Sequence, residues 1–78
     1  MISNKYIIRS VVYHDIIGIY DDKSESIQKA KKRSNLDGKT YNIYKQLEIG
    51  GGMIYKCTHV IDGDSITKLK SEQYLDKL

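Results

Sequence analysis

Proline, phenylalanine and tryptophan are absent from this chain of 78 residues, and cysteine occurs once. Each absence excludes something. A single thiol, Cys57, cannot form an internal disulfide, which fits a reducing compartment. Without Phe and Trp, the aromatic part of core and surface falls to seven tyrosines, rings that each carry a hydroxyl in need of a partner. Long apolar runs are missing too: none approaches the roughly 18 residues that a membrane-spanning helix takes. The first residues, Met1–Lys5, show no charged region, apolar region or small-residue cleavage site of a secretory leader. The expectation is a soluble cytoplasmic protein with no membrane partner.

What is present describes a small folded domain. With 40% hydrophobic and 29% charged residues the composition is not that of a disordered chain. One domain, residues 1–78, is expected, with a core that buries roughly 60% of the unfolded chain's surface. The most informative stretch is Thr40 to Ile61. Tyr41, Ile43, Leu47 and Ile49 fall on alternate positions with polar residues between them, and only Tyr44 and Lys45 break the pattern. That is the period of a half-buried strand. Gly50, Gly51 and Gly52 accept positive φ, so the chain is expected to reverse there into a long hairpin.

The rest follows in order. Lys5 to Tyr13 and Asp15 to Tyr20 are rich in β-branched and aromatic residues and predict two paired strands, with Gly18 marking a bulge or a close backbone approach. Asp22 and Glu25 have the spacing of an acidic capping box, with Ser24 as the competing cap. A helix with a narrow apolar stripe through Ile27 and Ala30 follows, ended by Asn35, Asp37 and Gly38. Asp62-Gly63-Asp64 predicts a turn and Ser65 to Lys70 a further strand, with helix from Asp64 as the rival. Ser71-Glu72-Gln73 would cap a short C-terminal helix whose Tyr74, Leu75 and Leu78 clamp a sheet edge. The fold class expected is α+β: a small antiparallel sheet in ββαβββ order, one covering helix and that short terminal helix.

Chemistry is sparse. Cys57 and His59, two apart on a strand, are expected to share a face, with His14, Asp62 and Asp64 as conceivable additions. One Cys and two His fall short of a zinc site, and Asp62-Gly63-Asp64 lacks the downstream Glu of a calcium loop. No metal or other cofactor is expected. A nucleophile with base and orienting group, or paired carboxylates facing a cleft, does not emerge either, so the expectation is a protein that is not an enzyme.

Binding surfaces remain. Lys29, Lys31, Lys32 and Arg33 form the one dense basic cluster, expected at the end of the helix, where phosphates of a nucleic acid are one class of partner; the net charge is +3 and the pI about 9.0. A protein partner is the other. Tyr44, of opposite parity to Tyr41 and Ile43, is expected to face outward, and with Tyr55 it supplies the large, stiff contact area that anchors protein interfaces. An unpaired edge strand would also permit a homodimer.

Tyr13 to Ala30 (Y-H-D-I-I-G-I-Y-D-D-K-S-E-S-I-Q-K-A) followed by Tyr41 to Ile49 (Y-N-I-Y-K-Q-L-E-I) resembles, in layout, the small uncharacterised proteins of tailed bacteriophages. The likeness covers about half the chain. It implies a viral protein that acts in the host cytoplasm by occupying a host protein, either to redirect host machinery or to inhibit a defence system. It supplies no catalytic residue.

Overall fold

In the computed structural model, which describes residues 5–70 and 74–78, the chain reverses where the glycines permit it. Gly50 and Gly51 take φ of 58° and 80°, the two positive values of a type I′ turn, whose twist matches that of the strands it joins. β3 (Thr40–Ile49) and β4 (Gly52–Asp62) form the long hairpin, with Ile49 opposite Gly52. β1 (Lys5–Ser10) pairs with the other side of β3, β2 (Ile16–Tyr20) with β1, and β5 (Ser65–Lys68) with β4. The result is a five-stranded antiparallel sheet of order β2-β1-β3-β4-β5. One helix, α1 (Lys23–Asp37), covers one face, so the α+β class and the ββαβββ order are those expected.

The helix holds to the sheet through small residues. Its buried positions are Ser26, Ala30 and Ser34, spaced one turn apart. Beneath them lie Ile8, Tyr41, Ile43 and Ile61, ringed by Tyr6, Ile17, Tyr20 and Ile27. A buried serine needs a partner, and both find one. Ser26 Oγ donates to the Lys23 carbonyl at 2.7 Å. Ser34 Oγ donates to the Lys39 carbonyl at 2.5 Å and accepts the Gly63 N–H at 2.6 Å, tying the helix to the start of β3 and to the β4–β5 turn.

Two bulges change which side chains face the helix. In β2 the extra residue is Ile17, between the pairs Ile8–Gly18 and Arg9–Ile16. In β4 it is Thr58, between Ile43–His59 and Tyr44–Cys57. Gly18 is bulge-flanking and closely approached at once: a β-carbon there would meet the Tyr20 ring at 2.6 Å.

Several expectations need correction. The first strand stops at Ser10, and 11–15 form a loop in which His14 takes a positive φ of 62°. Asp22 is the N-cap, but its carboxylate makes no capping hydrogen bond. The helix does end within the expected Asn35–Gly38 stretch, at Asp37, which pairs with Arg33 at 3.2 Å, and Gly38, with φ of 72°, is its cap. Lys29, Lys31, Lys32 and Arg33 therefore sit in mid-helix and not in its last turn. Residues 74–78 form no helix; Leu75 instead exchanges two backbone hydrogen bonds with Tyr55. The cap expected at Ser71-Glu72-Gln73 lies outside the described residues. Tyr44 does not face solvent: it is on the sheet face away from the helix, as its parity requires, yet only 6% exposed beside Ile7 and Cys57.

Candidate functional site

The hairpin outruns the helix, and the exposed part of its helix-side face is where charge collects. Tyr6, Lys45 and Lys56 are directly opposite one another on β1, β3 and β4; His59 and Lys68 form a pair on β4 and β5. Lys23 opens α1 at the same end. Together these residues line a cleft of about 340 Å³ whose apolar walls are Leu47, Leu69 and the Tyr74 ring. Four lysines face it, and no carboxylate is among the described residues that line it. None of the four pairs with an acid among the described residues.

That arrangement works against folding. Like charges directly opposite on neighbouring strands repel, and Lys45 opposite Lys56 is such a pair. The Lys56 ammonium finds one soft partner, the Tyr74 ring, 5.7 Å from its centroid.

The Thr58 bulge turns both Thr58 and His59 toward this cleft. Thr58 sends its hydroxyl proton to the Ile43 carbonyl at 3.3 Å. His59 Nδ1, 2.9 Å from Thr58 Oγ1, then donates to that hydroxyl oxygen, which leaves Nε2 as the nitrogen able to take a proton. Burial, and then the charges of Lys23 and Lys68, hold the imidazole pKa below its ordinary value. The cleft is therefore lined by four ammonium groups around a neutral histidine.

The bulge also separates Cys57 from His59. Their spacing of two would place them on one face, but the inserted residue puts Cys57 opposite Tyr44 and His59 opposite Ile43, on opposite faces. Burial raises the Cys57 thiol pKa, so it is a poor nucleophile. Among the described residues no group of three or more His, Cys, Asp or Glu converges in a way that could hold a metal.

Two of the basic residues expected on the helix are held by acids. Lys31 lies 3.7 Å from Asp64 and Arg33 is held by Asp37. Lys29, Lys32 and Arg33 rim a separate cleft of about 240 Å³ floored by Ile8, Ile17 and Tyr20. Tyr55 is half-buried on the reverse face, engaged through its backbone with Leu75. Sequence reasoning missed Lys23, Lys45, Lys56 and Lys68. One signal was present: Lys45 stands at the parity of Tyr41, Ile43 and Leu47, a cation where the strand's apolar register calls for a hydrophobic side chain.

No protein-family model matches this chain, and no curated protein or solved structure is significantly similar to it. No helix among the described residues is long and apolar enough to cross a membrane.

Proposed function

We propose that this is a non-enzymatic binding domain that captures phosphate groups in the lysine-lined cleft. The observation that carries the proposal is Lys45 facing Lys56 across adjacent strands, with Lys23 and Lys68 beside them and no acid on the described walls. An unbalanced cluster of this kind costs stability, and an anionic ligand returns it. Phosphate recognition was expected of the helix; the pairing of Lys31 with Asp64 and of Arg33 with Asp37 favours the cleft instead.

The test is binding of a 5′-phosphorylated oligothymidylate, followed by fluorescence polarisation over a series of salt concentrations. Lys45→Gln with Lys56→Gln is expected to weaken binding at least tenfold and to flatten the log–log salt slope by about 1.4. Lys29→Gln with Lys32→Gln should leave binding within about twofold. The opposite ranking of the two pairs would refute the proposal.

A second reading, a host protein as partner, has its own observation in favour. Val12 and Tyr13, 63% and 60% exposed, lie in the β1–β2 loop, and Ile16 and Ile19, 50% and 58%, lie on the edge strand β2. A phage protein that occupies a host surface would dock through such a patch. Its test is nuclease-resistant capture of one host protein that is lost in Ile19→Lys and kept in the lysine variants.

A further inference from the structure

Resting on the cleft as a phosphate site, we infer that its ligand is a nucleoside polyphosphate rather than an internal stretch of a nucleic-acid strand. Charge density comes first. A backbone brings one negative charge per nucleotide, spread along the strand, whereas the four lysines are gathered around one cleft. A terminal phosphate carries about −1.5 to −2 at pH 7, and each further phosphate in a chain adds to it. A di- or triphosphate concentrates its charge on the scale of the cluster.

Size and wall chemistry agree. At about 340 Å³ the cleft falls at the lower end of small-molecule sites, roughly 300–1,000 Å³. Its walls are mixed: beside the ammonium groups stand Leu47, Leu69, Tyr6 and Tyr74. A bare polyphosphate has no use for the apolar side chains. A purine or pyrimidine does, since its flat π-face packs on aromatic and aliphatic side chains, and Tyr74, whose ring is also the partner of Lys56, is 49% exposed. Thr58 and His59 supply the few oriented polar groups that fix a ring or a ribose in such a site.

Isothermal titration of the full chain with ATP, GTP, AMP, inorganic tripolyphosphate and an unphosphorylated oligothymidylate decides the matter. A nucleoside triphosphate is expected to bind at least tenfold tighter than AMP, tripolyphosphate or the oligonucleotide. Tyr74→Ala should bring ATP down to the level of tripolyphosphate, and Lys56→Gln should weaken both by a similar factor, with circular dichroism confirming each fold. Tripolyphosphate binding as tightly as ATP and GTP, or the oligonucleotide binding tighter, overturns this inference and leaves the phosphate site standing. If no phosphate compound binds, both fall together.

Discussion

Lys45 interrupts an apolar register, and the consequence is measurable at the level of one side chain. Its ammonium faces that of Lys56 across β3 and β4, so replacing either by a neutral β-former removes a repulsion worth a fraction of a kcal/mol. Lys45→Val is expected to stabilise the protein by about 0.5 kcal/mol, which in a domain of this size raises Tm by roughly 2–4 °C. Phosphate binding should fall in the same variant. A thermal melt and a titration on one preparation check both, and a Tm that falls would mean that Lys45 is held for structure. Lys45 was readable from sequence because alternation makes an intruder visible. Lys23, Lys56, Lys68 and His59 were not, because they come from α1, β4 and β5 and meet only through strand register. The Cys57–His59 pair shows the limit from the other side: a spacing of two predicts a shared face only if no residue is inserted, and Thr58 is inserted.

Among the elements, the hairpin and the helix differ in how openly the sequence declares them. Three consecutive glycines between two alternating arms leave little choice of structure, and the type I′ turn follows. Gly50→Ala or Gly51→Ala, each forced into positive φ, is expected to cost about 1 kcal/mol by urea denaturation. The helix is harder to read, since its anchoring face is Ser26, Ala30 and Ser34 and not the large apolar residues that mark a buried stripe. Its attachment depends on hydroxyl chemistry. Ser34→Ala deprives both the Lys39 carbonyl and the Gly63 N–H of their partner, a loss expected at about 1–3 kcal/mol. Native-state hydrogen exchange should show the Gly63 amide losing protection first; unchanged exchange there would mean that the clamp contributes little. The helix end was more legible, because Asn35, Asp37 and Gly38 are weak helix formers: α1 closes at Asp37, which accepts from Arg33 and from the Tyr41 hydroxyl, and Gly38 caps it.

For the whole molecule, titration links the fold to the cleft. The Tyr41 hydroxyl, with the Lys39 N–H and Arg33, holds the Asp37 pKa below that of an ordinary carboxylate. A depressed pKa in the folded state means stability that is present above the unfolded value, about 3.9, and is lost as pH falls through the folded one. His59 behaves in the same direction but begins higher: its contribution is complete above about 6.5 and is lost as pH falls through its depressed value, because a proton must enter among Lys23 and Lys68. A bound anion reverses the second effect, since it offsets the lysine charge and makes the imidazolium welcome. Binding then takes up a proton, and affinity must rise as pH falls from 8 toward 6. Sulfate keeps its charge over that range, so any pH dependence of its effect belongs to the protein. The rise in Tm that sulfate produces is expected to be larger at pH 6 than at pH 8, and His59→Gln should abolish the difference while leaving sulfate's general stabilising action. A sulfate effect that is equal at the two pH values in the unsubstituted protein would separate His59 from the anion, and with it remove the electrostatic coupling that makes the four lysines and the histidine one site.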